Sequence, residues 1–264
     1  MQAMTAGEQL AEVLRSARAG VAFTGAGIST ESGIPDFRSP GGVWSKHTPV
    51  MYDDFLRSRS ERVRYWNIRR QIYRDTMTAE PNDGHRAITE LERRGMIVAV
   101  VTQNIDGLHQ DAGSRRVLEV HGTNRSVMCV RCGKEWPPQE ILARVEAGDE
   151  APECDACGGP LKSKTISFGQ QMPAEVMLDA AQLCRSADVC LAIGSSLVVE
   201  PAASLPRIAK DYGAALVILN NTPTPLDPVA DLVLHEPIGA TLRAALRCLD
   251  ALDPSHDTCT APPG

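Results

Sequence analysis

An open, doubly wound, mostly parallel α/β sheet carrying a smaller, discontinuous second lobe is the fold class this sequence predicts, on three observations. Six short aliphatic and β-branched runs recur along the 264 residues, at 21–24, 97–102, 117–121, 189–194, 216–220 and 232–235. Continuous apolar runs of this length are typical of parallel strands covered on both faces. Helical patterns lie between them, at 8–18, 84–94 and 173–186, so strands and helices alternate. Two stretches break the alternation: 36–82, rich in Arg, Tyr and Trp, and 123–165, which holds two close cysteine pairs.

The first helix, 8–18, carries Glu8 and Glu12 and has no continuous apolar core, so it does not read as a signal or transit peptide. No apolar stretch approaches the roughly 20 residues that span a bilayer. A cytoplasmic protein without a membrane partner is expected.

Strand 21–24 runs into Gly25-Ala26-Gly27. Glycines there let the backbone turn tightly and approach a pyrophosphate with no Cβ in the way. The dinucleotide fingerprint of dehydrogenases would place a third glycine at position 30, where this chain has Thr30, and Gly33 comes later. A hydride-transferring dehydrogenase is therefore disfavoured, and on the glycines alone a plain strand-to-loop turn is the simpler reading. The segment from 36 begins as a loop and becomes helical.

Strand 97–102 leads into the polar run Gln103-Asn104-Ile105-Asp106, whose Asn and Asp also suit a turn that caps the next helix. Strand 117–121 ends at His121, followed by Gly122, which would give a ligand close access to the ring. An imidazole, with an ordinary pKa near 6.5, suits a general base near neutral pH, although a lone histidine is more often structural. In an open parallel sheet ligands sit beyond the carboxyl ends of the strands. The loops at 25, 103, 121, 194 and 220 all start there, and they converge on one crevice.

Cys129-x-x-Cys132 and Cys154-x-x-Cys157 are separated by 21 residues, and each pair precedes a glycine, Gly133 or Gly158. That is the spacing of a zinc ribbon, in which four thiolates hold together a segment too small for its own core. Two disulfides or a redox pair are disfavoured without an export signal. A four-thiolate zinc keeps no open position and is structural. Cys184, Cys190 and Cys248 read as buried apolar side chains, and Cys259 lies in a tail.

With 43% apolar residues the chain can bury a sizeable core, and a net charge of −6 without a long basic run lacks the footprint of a nucleic-acid binder. Residues 253–264, rich in Pro, Ser, Asp, Thr and Gly, read as a disordered tail.

Four segments together resemble the signatures of the sirtuins, the NAD-dependent protein deacylases. They are Gly25 to Ser39 (Gly-Ala-Gly-Ile-Ser-Thr-Glu-Ser-Gly-Ile-Pro-Asp-Phe-Arg-Ser), Thr102 to His109 (Thr-Gln-Asn-Ile-Asp-Gly-Leu-His), Glu119-Val120-His121-Gly122, and Gly194-Ser195-Ser196-Leu197 with Pro201 behind. They occur in the family's order and approximate spacing, from about position 20 to about 245. The resemblance implies a Rossmann-like NAD-binding domain of 1–35, 83–122 and 166–252, and a small lobe of 36–82 and 123–165 made of helices and the zinc ribbon. It implies attack of an acyl-lysine carbonyl oxygen on the nicotinamide ribose carbon as nicotinamide leaves. His121 then removes a proton from a ribose hydroxyl, directly or through its neighbour, this hydroxyl attacks the amidate carbon, and water completes the release of free lysine and O-acyl-ADP-ribose.

Residue by residue, the resemblance assigns Asp106 to the nicotinamide carboxamide with Ile105 beside it, Asn104 to the ribose and a water, and Gln103 to ribose. Phe37 covers the sugar face, while Asp36 and Arg38 order the loop at the phosphates. Gly25, Ala26, Gly27, Gly194, Ser195, Ser196 and Asn220 line the remaining dinucleotide, with Ile238 over adenine. The stretch Thr165 to Gln170, including Ile166, Phe168 and Gly169, resembles the one that pairs with the substrate backbone, and Val198 to Glu200 form the opposite wall. Members that prefer succinyl or malonyl lysine carry a Tyr-x-x-Arg pair in the acyl pocket, where this chain has Trp66 and Arg69. A neutral acyl group, acetyl in the simplest case, is therefore expected. Other function classes are an NAD hydrolase or ADP-ribosyltransferase, a desuccinylase or demalonylase, and a zinc-ribbon binding module with a vestigial nucleotide fold.

Overall fold

The computed structural model describes residues 3–37 and 41–252. The expectations for Arg38, Cys259 and the tail at 253–264 lie outside the described residues. Among the described residues nine strands are formed: β1 (Gly20–Thr24), β2 (Ile97–Thr102), β3 (Val117–Glu119), β4 (Gly122–Cys129), β5 (Glu135–Trp136), β6 (Leu161–Thr165), β7 (Val189–Ile193), β8 (Ala215–Leu219) and β9 (Leu232–Leu234).

The six strands expected from apolar runs form one sheet in the order β3-β2-β1-β7-β8-β9, and every neighbouring pair is parallel. The mostly parallel, Rossmann-like fold class is thus what forms. Their side chains alternate between two cores, as a two-residue repeat requires. Ala22, Val100, Leu191 and Val217 face one way, against Leu10, Leu14, Ile88 and Leu242. Val21, Phe23, Val101 and Ile218 face the other, against Leu183, Cys184, Leu205 and Ala209. Cys184 and Cys190 are buried, and Cys248 is half-buried.

Helix Ala6–Leu14 is set by a reciprocal cap between Thr5 and Glu8, and helix Asp83–Arg93 by one between Asn82 and His85. From β1 the chain winds outward through β2 and β3, then returns to the other side of β1 with β7. The direction of winding reverses between β1 and β7, and this is where such sheets open a ligand crevice.

The remaining strands form an antiparallel sheet, β5-β4-β6. Its core joins the two stretches that interrupt the alternation: Phe55, Tyr65, Trp66, Ile72 and Tyr73 pack with Val127, Trp136, Ile141 and Leu161. β6 reads Leu-Lys-Ser-Lys-Thr and shows no apolar run, yet Lys162 is buried, donating from Nζ to the carbonyls of Ser163 and Thr165.

Candidate active site

A cleft of about 810 Å³ opens beyond the carboxyl ends of β1, β2, β7 and β8. Its wall includes Gly25, Ala26, Gly27, Asp36, Phe37, Gln103, Asn104, Ile105, His121, Gly194, Ser195, Ser196, Asn220 and Ile238 from the expected dinucleotide set. Arg69, Ile166, Phe168 and Gly169 from the expected substrate set line the same cleft. Asp106 lines a smaller recess that shares Ala26, Phe37, Asn104 and Ile105 with it.

Two expected wall residues stand elsewhere. Trp66 is fully buried in the core of the smaller sheet, where Nε1 donates to the Leu161 carbonyl at 3.1 Å. It belongs to the apolar core of the smaller lobe, and Arg69 stacks instead over Tyr65, one turn before it. Val198 is 53% exposed and outside the cleft wall, whereas Val199, Glu200 and Pro201 line it.

The glycines have a reason within the protein itself, besides the approach of a ligand. A Cβ on Gly27 would come within 2.7 Å of Gly194 Cα, and one on Gly25 within 2.8 Å of the Gly194 oxygen. Gly194 itself has φ +61°, and its Cβ would meet Ile28 N at 2.4 Å. These residues are glycine because the β1 and β7 loops cross at backbone contact; Gly27 N–H donates to Gly194 O at 2.8 Å. Gly122 likewise has a backbone reason. Its φ is +72°, and a Cβ would fall 2.2 Å from the Lys164 oxygen on β6.

β3 ends at Glu119, so His121 sits in the tight turn into β4 and not on the strand itself. Its Nδ1 lies 3.1 Å from the Gln103 carbonyl oxygen. A carbonyl only accepts, so in the neutral ring Nδ1 carries the proton and Nε2 is the basic nitrogen. Gln103 is held in turn, its N–H donating to Thr24 O at 2.9 Å and Nε2 to Ser195 Oγ at 2.7 Å.

Beneath the recess lies a polar network organised by Ser29, a residue inside the first motif to which sequence reasoning gave no role. Ser29 Oγ accepts from Asn104 Nδ2 at 3.0 Å and donates to Asp106 Oδ2 at 2.8 Å. Asp106 Oδ1 accepts from Leu108 N at 2.9 Å, so the turn-capping and recess positions coexist. Burial pushes the Asp106 carboxyl up, and the hydrogen bonds from Leu108 and Ser29 oppose that shift.

Two buried histidines, also missed from sequence, back this network. Their rings meet edge-on at 4.9 Å, and burial pulls His85 down to about 4 and His109 down to about 3. His109 Nε2 reaches Thr24 Oγ1 at 2.9 Å, which donates to Thr102 Oγ1 at 2.8 Å, which accepts from Asn104 N at 3.0 Å. The signal available in sequence was Asn82-x-x-His85 at a helix start, which places that ring on the first turn.

Arg69 donates to Asn124 Oδ1 at 3.1 Å and to Thr165 Oγ1 at 2.7 Å, and stacks over Tyr65 with its carbon 5.0 Å from the ring centre. Away from the cleft, the sulfurs of Cys129, Cys132, Cys154 and Cys157 lie within 4.8 Å of one another. The Cys129–Cys157 and Cys132–Cys154 sulfur pairs are 3.5 and 3.7 Å apart. Four sulfurs about 2.3 Å from a tetrahedral zinc would be about 3.8 Å apart, so the set fits that ion.

A model of the Sir2 family matches residues 25–201. The chain is 43% identical over 235 residues to the NAD-dependent protein deacetylase of Thermodesulfovibrio yellowstonii, covering 89% of this chain and 92% of that protein. It is 47% identical over 233 residues to NAD-dependent protein deacetylase 2 of Streptomyces coelicolor, covering 86% and 96%. Among solved structures, a Sir2 protein bound to a propionylated peptide superposes with a TM-score of 0.82 at 36% identity, covering 92% of this chain and 98% of that one. A Sir2 complex with a peptide and NAD+ superposes at 0.84 with 37% identity and the same coverage.

Proposed function

The chain belongs to the Sir2 family, and from that premise we propose that it is an NAD-dependent protein lysine deacetylase. The observation that carries the reading is the pairing of His121 Nδ1 with the Gln103 carbonyl inside a cleft large enough for a dinucleotide and an acyl-lysine side chain. Bound NAD supplies a labile bond between nicotinamide and ribose, together with the ribose hydroxyl that receives the acyl group.

The protein's own groups position and protect that chemistry. Ala26, Gln103, Ser195, Ser196 and Asn220 hold the ribose and phosphate portions, and Ile238 packs on adenine. Asp106 and Ile105 hold the nicotinamide end. Asn104 donates one amide hydrogen to Ser29, which fixes the side chain, and its Oδ1 is the acceptor for a ribose hydroxyl or a water. His121 Nε2 takes the proton of a ribose hydroxyl, and the Gln103 carbonyl keeps the ring in the tautomer that can do so. Phe37 shields the reacting carbon from water until the acyl oxygen arrives.

The substrate peptide lies along Ile166 to Gly169. Ser167 and Gln170 bond to one another there, while the Gly169 main chain makes no hydrogen bond among the described residues and is available to pair with a peptide. The acyl group is neutral. Both terminal nitrogens of Arg69 are engaged by Asn124 and Thr165, and a succinyl carboxylate would have to displace those bonds. The cysteine cluster holds one structural zinc and takes no part in the chemistry.

The test is mass-spectrometric detection of nicotinamide and O-acyl-ADP-ribose with NAD and matched acetyl-, succinyl- and unmodified-lysine peptides. Release that requires the acetyl peptide supports the deacetylase. Release without an acylated peptide shows a hydrolase or transferase, and faster turnover of the succinyl peptide overturns the neutral acyl pocket.

A further inference from the structure

The loop that carries Asn104 and Asp106 is gripped from outside by the beginning of β4, through three alternate carbonyls. The Gln103 oxygen meets the His121 ring, and the Ile105 oxygen accepts from Asn124 N at 2.8 Å. The Gly107 oxygen accepts from Arg125 Nη2 at 2.8 Å. Arg125 is the only one of the three that reaches the loop with a charged side chain. It also pairs with Asp111 at the end of the short helix that follows.

The contact is shaped as well as charged. Gly107 has φ +78°, and a Cβ there would fall 1.8 Å from Arg125 Nε and 2.5 Å from its guanidinium carbon. The guanidinium therefore occupies the space a side chain at position 107 would need. Its partner Asp111 is about half exposed, and an ion pair at that exposure contributes little by itself. A hydrogen bond from a charged donor to a main-chain carbonyl at a loop apex is the stronger restraint. Gly107 adjoins Asp106, so movement of that carbonyl would carry the carboxylate with it. The positive charge also favours the ionised form of Asp106.

We propose that Arg125 is a positioning residue for the nicotinamide end of the NAD site, holding the Gly107 carbonyl and through it the side chain of Asp106. The proposal rests on the assignment of Asp106 to the nicotinamide end. It separates from the deacetylase reading because it can be read from binding alone.

Full-length wild type, Arg125→Ala, Arg125→Lys and Asp111→Asn are compared by calorimetric titration with NAD and with nicotinamide, by steady-state kinetics with an acetyl-lysine peptide, and by thermal unfolding. For Arg125→Ala the expected result is a rise of about fivefold or more in the nicotinamide inhibition constant and in the NAD dissociation constant, with the peptide KM unchanged. Arg125→Lys recovers part of the loss, and Asp111→Asn stays within about twofold of wild type because it removes only the exposed ion pair. Unchanged nicotinamide and NAD binding in a folded Arg125→Ala protein overturns the proposal. So does an equal loss in Asp111→Asn, which would make the ion pair the source of the effect. Wild type that binds NAD but does not turn over the acetyl peptide would sink the deacetylase reading while the comparison of binding constants still decides the role of Arg125.

Discussion

His121 Nδ1 stands 3.1 Å from the main-chain oxygen of Gln103, joining the turn after β3 to the loop after β2. A main-chain acceptor cannot change its protonation state, so it fixes the tautomer at any pH where the ring is neutral. The nitrogen that can act as base is thus decided by the fold. The residue supplying the carbonyl is itself pinned through its side chain to Ser195 on the far side of the sheet's switch point.

Replacing His121 with alanine removes the only imidazole on the cleft wall among the described residues. Deacetylation of an acetyl-lysine peptide is expected to fall by about 100-fold or more, the usual contribution of a positioned general base. NAD binding, measured calorimetrically, is expected to change little, because the residues proposed to hold the ribose and phosphates stand on other loops. A proportional loss of NAD affinity would instead make His121 a binding residue.

Gly27→Ala tests the crossing of the β1 and β7 loops. The new methyl group meets backbone atoms of Gly194 at 2.7 Å and 2.8 Å, and neither can swing aside as a flexible side chain would. A destabilisation of about 2 kcal/mol is expected, or roughly 5 °C in the melting midpoint for a chain of this size. NAD binding should weaken as the loops separate. A variant with wild-type melting and wild-type NAD affinity would show that the crossing has room to relax.

The parallel sheet was legible in the sequence because strands buried on both faces are largely apolar, and β1, β2, β7 and β8 are so except for the threonines that end β1 and β2. β6 was not legible, since Lys162, Ser163 and Lys164 look like a surface loop, and Lys162 is buried only through carbonyls that tertiary folding brings to it. In the site, the loops beyond the strand ends could be placed from the strand pattern and the four cysteines from their spacing, while the roles of single residues came from the family resemblance. Ser29, His85, His109 and Arg125 could not be read, because their roles depend on partners 14 to 85 positions away in sequence. The backbone contact at Gly25 and Gly27 was not legible either: sequence marks where a Cβ is forbidden and cannot say which neighbour forbids it.

Zinc removal tests what holds the smaller sheet together. One zinc per chain is expected by atomic emission, and Cys154→Ser should lower that stoichiometry. A strong chelator, or that substitution, is expected to unfold the β4–β6 region first, because the cysteine pairs anchor the loops at one end of its three short strands. Circular dichroism and limited proteolysis between residues 123 and 165 would register this. Full activity and unchanged protease resistance in a zinc-free protein would rule out the structural role.

The buried histidine pair sets an acid limit on stability. Both rings are held neutral by burial, with His85 lowered from 6.5 to about 4 and His109 from 6.5 to about 3. Between pH 6.5 and about 4 the unfolded chain binds protons that the folded chain refuses, so this part of the stability is complete above pH 6.5 and is lost on acidification. Each refused proton costs about 1.4 kcal/mol per pH unit. Asp106 and Glu119 act oppositely, because their raised pKa values let the folded state take up a proton first, while Glu90, Glu135 and Asp231, held low by their partners, act with the histidines. The free energy of unfolding, from urea titrations at pH 7, 6, 5 and 4.5, is therefore expected to fall as the pH drops. His109→Gln should flatten that dependence by roughly one proton's worth, about 1.4 kcal/mol per pH unit, whatever it does to stability at pH 7. An identical slope in the variant would mean that His109 is protonated in the folded protein and that burial does not control it.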